Sequence, residues 1–526
     1  MTRSSLRRTF VVLALALACF GLLTPNGFGV APAPDGGYPG FTTAEGQSAL
    51  LQLTTGSGNT AVGWFSLESV TTGSFNTGVG AATLLLNTGD NNTATGAGAL
   101  LSNVTGVQNT ANGAFTLLSN STGSGNTATG FQALTANTTG SFNTANGFAA
   151  LTSNTTGGNN TAHGESALLS NTTGFQNTAD GVGTLSSNTE GSENTAIGYF
   201  ALSNNTASFN TATGHEALLH NTSGVENTAN GFQALHDNID GAFNTATGAS
   251  ALNSNTTGFN NTANGAFALE QNSTGSNNTA NGLAALDFNT EGTNNTANGF
   301  QALTANTTGG FNTASGINAL VNNTTGSSNI AIGDSAGFGV TTADHVICLG
   351  ANVQGENVSN TCYIGNVFGV TSSGGTAVFV NADGKLGTTT SSRRFKEQIK
   401  PMERASEALF SLKPVTFRYK KEIDPEGRSQ FGLVAEEVEK VSAGLVVCDK
   451  AGKVNTVRYD AINAMLLNEF LKEHRKVEEQ NATIRQLKNE MAVVIARLEE
   501  HDLKIQKVSA AVEVSKPGQQ TVVNNQ

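Results

Sequence analysis

The sequence predicts a mainly β protein: a repeat β-solenoid of 17-residue coils, then a small α+β domain and a C-terminal coiled coil. Three observations carry that prediction. Most of the chain repeats one phrase, N-T-A-x-G-x-x-A-L-x-x-N-T-T-G-x-x; the composition switches abruptly near Ser391; and apolar residues recur every seven positions close to the C-terminus.

The phrase defines the first element, residues 42–333. Its anchor asparagines run from Asn59 and Asn76 to Asn312 and Asn329, with every step 17 residues except two of 16 that end at Asn92 and Asn210. A helical hairpin needs more than about 30 residues per repeat, so each phrase is expected to form one coil of a stacked solenoid. Thr42 to Gly46 reads as a degenerate first coil. Thr at the second position (Thr110, Thr127) suits a short strand, and Gly at the fifth (Gly113, Gly130) and in the N-T-T-G step suits corners with positive φ. The Ala-Leu pair, as in Ala133 and Leu134, is expected inside, with aligned Asn side chains bonded into ladders. So small a coil encloses a thin core, which predicts an apolar stripe shared between chains. Seventeen coils at a spacing of about 4.8 Å give a rod roughly 80 Å long.

The N-terminus reads as an export signal, residues 1–31, because Arg3, Arg7 and Arg8 precede a short apolar run from Phe10 to Leu23 and small residues precede Ala31. A lipoprotein cut before Cys19 competes with it, although the usual Leu three places upstream is missing. Residues 32–41 form a Pro- and Gly-containing leader, and no transmembrane anchor is evident, so the chain is expected to be secreted or at the cell surface.

Charge excludes one class of partner. The net charge is -12, and no Lys or Arg lies between Arg8 and Lys385, so nothing basic in the rod can hold a nucleic-acid backbone. The repeats lack the aspartate-rich nonapeptides of calcium-binding β-rolls, and the seven histidines show no ligand spacing, so neither a metal nor another cofactor is expected. Repeated N-T-T and N-S-T triplets match the glycosylation sequon, yet they recur at the period of the fold and are read as corner and ladder residues. Strand alternation puts Cys348 and Cys362 on opposite faces, against a disulfide and in favour of burial as small hydrophobes; Cys448 stands alone.

Past Gly333 the period breaks, and residues 334–390 read as an irregular β segment that includes a hairpin from Val378 to Gly387, with Asp383-Gly384 at its turn. From Ser391 the chain is rich in Lys, Arg and Glu. Helical periodicity marks Arg404 to Leu412, Ala435 to Val441 and Ala461 to Leu471, and strands are expected at 415–419, 432–434 and 445–447. In residues 476–510, Val477, Ile484, Met491, Leu498 and Ile505 repeat every seven residues, interleaved with Leu487, Val494 and Val508. That is a coiled-coil seam, with Gln480 and His501 as polar seam residues; residues 511–526 are expected to be disordered.

Four blocks in residues 391–475 resemble a known family: Ser391-Ser392-Arg393-Arg394-Phe395-Lys396-Glu397-Gln398-Ile399-Lys400, Leu412-Lys413-Pro414-Val415-Thr416-Phe417-Arg418-Tyr419, Phe431-Gly432-Leu433-Val434-Ala435-Glu436-Glu437-Val438, and Val457-Arg458-Tyr459-Asp460-Ala461. They are similar to the intramolecular chaperone domain of phage tail fibres and tailspikes, peptidase family S74. The resemblance implies a homotrimerising domain, and with it a trimeric coiled coil; the domain helps a β-helical fibre fold and then releases itself with a Ser/Lys dyad. It places the dyad on Ser391 and Lys396 and the cut between Thr390 and Ser391, with Ser392 where the family often has Asp. The chemistry suits those residue types. A serine hydroxyl needs a base, and a lysine serves once burial and like charges such as Arg393 and Arg394 favour its neutral form. The rod is similar to the head repeats of trimeric autotransporter adhesins. Together these features predict an exported homotrimeric fibre whose partner is itself, with a cell-surface or glycan ligand for the rod. The alternative is an adhesin-like solenoid whose C-terminal domain trimerises without cutting.

Overall fold

A computed structural model describes residues 40–370 and 372–515. The expected signal peptide and most of the leader therefore lie outside the described residues, as does most of the expected tail. The chain divides into two compact units, the first ending at Val370 and the second beginning at Thr371.

The first unit is the solenoid. Strands β1 (Thr43–Glu45) through β20 (Cys362–Ile364), each three residues long, form one parallel sheet in which every strand pairs with the next along the chain. Twenty strands make 19 steps, or about 90 Å at the usual strand spacing. Like residues face like: Thr127 pairs with Thr144 and Ala128 with Ala145. The degenerate first coil is present as β1.

One coil shows how 17 residues close. Thr127–Thr129 is the strand, and its central Ala128 points inward and is fully buried. Gly130 follows at φ 126°, the corner conformation expected of the fifth position. Ala133 and Leu134 return the chain to the interior, and both are fully buried. Two asparagines complete the lining. Asn126 Nδ2 donates to Asn109 Oδ1 one coil back at 3.1 Å and to the Gly140 carbonyl at 2.9 Å. Asn137 Nδ2 donates to Asn120 Oδ1 at 2.7 Å and to the same carbonyl at 2.9 Å. Buried amides must be paired, and these ladders pair them while tying each coil to the last. The sequon residue Asn137 is fully buried in one of them, which supports its structural reading.

Several expectations need correction. The N-T-T-G glycines do not take positive φ; Gly140 is required because a Cβ there would collide with the Gly157 carbonyl and with the Asn137 side chain. Left-handed backbone falls instead on non-glycine residues, namely Gln132 (φ 58°), Leu134 (φ 52°) and Phe142 (φ 60°), and on their equivalents in other coils. Each such residue costs about 1–2 kcal/mol, and burying a leucine returns about 1.5–3 kcal/mol, so the buried Leu of each coil outweighs its own strain.

The solenoid also continues past residue 333. Val340 and Val346 replace the two ladder asparagines and stay buried, and β19 (Ile347–Leu349) pairs with β20. The phrase ends there because apolar pairs can fill the same places as amide ladders. Asn357 then closes the stack, its Oδ1 accepting from the amides of Thr341, Thr342 and Ala343 at 3.0, 2.9 and 2.8 Å. Cys348 faces inward and is buried whereas Cys362 is exposed, so the opposite-face placement holds while the expected burial holds for Cys348 alone.

The Ala, Leu and Asn interior is complete within one chain. Any stripe shared between chains must therefore be on the outside, where exposed aromatics form two rows. Phe131, Phe148, Tyr199, Phe232 and Phe300 stand just after the strand, and Phe75, Phe142, Phe209, Phe243 and Phe311 just before the anchor Asn.

The second unit opens with the hairpin β21 (Val378–Val380) and β22 (Leu386–Thr388), paired antiparallel. Asn381 Oδ1 shapes its turn by accepting from the amides of Asp383 and Lys385, with Gly384 at φ 80°. Residues Glu403–Ser411 form a 3-10 rather than an α-helical segment. Hairpins β23 (Val415–Phe417) with β24 (Gln430–Gly432) and β25 (Val446–Cys448) with β26 (Val454–Val457) flank helix α1 (Ala435–Val441). Helix α2 runs unbroken over Tyr459–Val514, merging the expected 461–471 helix with the seam region and ending four residues inside the expected tail. The core is small: Val438, Leu445, Val457, Ile462 and Met465. Among the described residues no helix is long and apolar enough to cross a membrane.

Candidate functional site

The segment after β22 places the predicted dyad. Ser392 O accepts from the Phe395 amide at 3.0 Å and Arg393 O from the Lys396 amide at 3.1 Å, so Arg393–Phe395 winds one 3-10 turn. That turn carries Lys396 back over Ser391, and Lys396 Nζ lies 3.2 Å from Ser391 Oγ. The Arg394 guanidinium covers the Phe395 ring at 4.6 Å, which holds one neighbouring cation beside the turn. Thr390, Ser391, Ser392 and Lys396 are all exposed. The contact is made with the ammonium donating; a base would have to accept instead.

A second serine and lysine meet where no local pattern marks them. Ser406, fully buried, donates to Glu469 Oε1 and accepts from Asn468 Nδ2 at 2.6 Å, while Lys472 Nζ lies 2.6 Å from the same Glu469 oxygen and 3.4 Å from Ser406 Oγ. Here Lys472 is spent on an ion pair. Its hydrogen bond, then that of Ser406, holds the Glu469 carboxyl below the usual glutamate range. The cluster is a staple docking the 3-10 segment onto α2 rather than a nucleophile with its base. Apart from the Glu403 carbonyl, every partner of Ser406 lies more than 60 residues away, so local spacing could not have found the cluster.

The histidines are not all scattered. His220 and Asp237 are one coil apart, and with His236 they bring three ligand atoms within 4.8 Å of one another. Read through the 17-residue period, that spacing was present in the sequence.

Beyond the contact of Ser391 with Lys396, the second unit presents apolar surface. A groove of about 690 Å³ is lined by Leu409, Leu412, Pro414, Val415, Phe431 and Leu466. On α2, the seam residues Val477, Ile484, Leu487, Met491, Val494, Leu498, Ile505 and Val508 are exposed, so the helix is not packed along that stripe on its own domain.

No curated protein and no solved structure matches this chain. Residues 391–453 match the family model described as chaperone of endosialidase, peptidase family S74, which begins on Ser391 and stops before the fourth sequence block; the C-terminal unit thus carries a domain of that family downstream of a 19-turn β-solenoid.

Proposed function

We propose that this is an exported homotrimeric fibre protein whose C-terminal unit brings three chains together, guides the solenoid into register and then cuts itself off between Thr390 and Ser391. The observation that carries the reading is the family match starting on Ser391, immediately after a complete solenoid and its hairpin. The exposed seam of α2 and the groove beside Phe431 are surfaces a second and third copy would cover. Registration is the problem such an assembly solves: with Thr facing Thr and Ala facing Ala at nearly every step, a slip of one coil restores almost the same contacts.

In the cut, Ser391 Oγ would attack the Thr390 carbonyl carbon while Lys396 takes the hydroxyl proton and passes it to the leaving amine. That amine belongs to Ser391 itself, so this first step is an N-to-O shift that leaves Thr390 esterified to Ser391 Oγ; water, giving up its proton to Lys396, would then hydrolyse the ester, free the Thr390 carboxylate, restore the Ser391 hydroxyl and separate the two fragments. The exposure of the pair in one chain makes assembly the step that would bury Lys396, which ties cleavage to trimerisation. The rows of exposed aromatics favour a second role for the rod, as a platform for a glycan or cell-surface ligand.

A denaturing gel with intact masses tests the reading. The wild-type chain is expected to give a fragment ending at Thr390 and one of residues 391–526, while Ser391→Ala and Lys396→Ala stay whole. An uncut wild-type trimer, or a cut elsewhere, removes the dyad and leaves the adhesin-like alternative.

A further inference from the structure

Among the described residues, the side of the solenoid around His236 holds the one group of three metal-capable side chains brought within reach of one another. His220 donates its amide to the His236 carbonyl at 3.0 Å, so the inter-coil ladder fixes the two backbones at this point. Asp237 Oδ1 lies 2.7 Å from His236 Nδ1 and 3.9 Å from His220 Nε2, and the two imidazoles stand edge to face with centroids 5.0 Å apart. The other nitrogen of His236, Nε2, faces Glu216 Oε2 at 3.8 Å. That oxygen is gripped by Gln233 Nε2 at 2.8 Å and neighboured by His215 Nδ1 at 3.7 Å. On the coil before, Asn204 Nδ2 sits 3.2 Å from His220 Nδ1.

Charge sharpens the point. Residues 9–384 contain no Lys or Arg, so Glu216 and Asp237 have no permanent side-chain cation of the rod to balance them. Only the histidines, or a bound cation, can do so. We infer that His220, His236 and Asp237 form a site for a divalent transition-metal ion of the zinc class.

Two imidazole nitrogens and one carboxylate suit Zn²⁺, Co²⁺ or Ni²⁺ rather than Ca²⁺ or Mg²⁺, which take oxygen ligands. Zinc bonds of about 2.0–2.2 Å put tetrahedral donors roughly 3.3–3.5 Å apart, so donors spread over 2.7 to 4.8 Å reach that geometry by side-chain adjustment alone. Turning the Asn204 amide so that its oxygen accepts from His220 Nδ1–H leaves the Nε2 lone pair for the ion, with Asn204 as the orienting neighbour. Water fills the remaining position. The site is built on two coils, so an ion there clips one coil to the next.

The test uses the tag-free full chain. Zn²⁺ titration calorimetry is expected to find a site that the double variant His220→Gln/His236→Gln loses, with affinity down ~10-fold or more. Zn²⁺ is also expected to raise the melting temperature of the wild type and not of the double variant. Melting of both proteins in chelator should coincide, which separates loss of the site from loss of the fold. Co²⁺ should show d–d bands without thiolate charge transfer. Equal Zn²⁺ binding by the two proteins, a thiolate band locating the ion at a cysteine, or displacement of Zn²⁺ by millimolar Ca²⁺ would each overturn the assignment.

Discussion

Replacing Asn137 by alanine tests whether the amide ladders hold the coils together. The Asn137 side chain makes three buried hydrogen bonds: it donates to Asn120 Oδ1 at 2.7 Å and to the Gly140 carbonyl at 2.9 Å, and it accepts from Asn154 Nδ2 at 2.8 Å. Truncation does not orphan all of these partners. The Gly140 carbonyl keeps Asn126 Nδ2, and Asn154 Nδ2 keeps the Gly157 carbonyl. Asn120 Oδ1 is left without a donor. One stranded buried acceptor costs about 1–3 kcal/mol and each of the two other lost bonds about 1 kcal/mol, giving about 3–5 kcal/mol in total. Because a solenoid is stabilised coil by coil, the loss should be local. Hydrogen exchange is the matching assay: amides in coils 120–154 should exchange roughly a hundred- to several-thousand-fold faster than in the wild type, with distant coils unchanged. Thr139→Ala, at an exposed position of the same corner, should change stability by no more than about 0.5 kcal/mol. If Asn137→Ala exchanged no faster than Thr139→Ala, the ladders would be ornamental and the closure argument wrong.

Two further predictions rest on single groups. Burial first, and then the carboxylate of Glu270 one coil away, push Asp287 from an ordinary 3.8 up to about 6, and its Oδ1 is buried without a partner. Between those values the folded chain holds a proton that the unfolded chain has released, so stability falls as pH rises through about 4 to 6. Asp287→Asn should therefore melt higher than the wild type above pH 6, with the gap closing below pH 4; a gap constant from pH 4 to 7 would contradict the assignment. Native alkylation at mildly alkaline pH should label exposed Cys362 and spare Cys348, whose thiol is buried and pushed up by that burial; equal labelling would contradict the alternation of β19 and β20.

Much of the fold was legible because the repeat aligns its own residues. A 17-residue period with Thr-Ala-x at its start leaves one strand per coil; Ala133 and Leu134 fell inside and Asn126 and Asn137 formed ladders as expected, while the full burial of those asparagines came from the structure. What escaped was set by backbone geometry or by distance. Leu134 at φ 52° follows from closing a tight coil, a demand that residue preference alone would assign to glycine. Coils beyond residue 333 lost the phrase but kept inward apolar positions at Val340 and Val346, which a motif search does not count. The dyad was placed by family resemblance, and Lys396 lies within reach of Ser391 only because the intervening 3-10 turn folds back. Ser406, Glu469 and Lys472 show the opposite limit, a cluster assembled across 60 residues with no local signature.

The central claim is that the rod folds under the guidance of the C-terminal unit. If α2 and the chaperone domain assemble first, three chains are held at high local concentration before their coils pair, and nucleation becomes intramolecular. The decisive measurement compares the rod made by two routes, through the full-length chain and as a chain ending at Thr390 from the start, by sizing and thermal melts. The account predicts a heat-resistant trimer from the first and aggregate or monomer from the second, because unguided coils leave strand edges and aromatic rows open to wrong pairing. Equal yields of the same soluble trimer from both routes would contradict it.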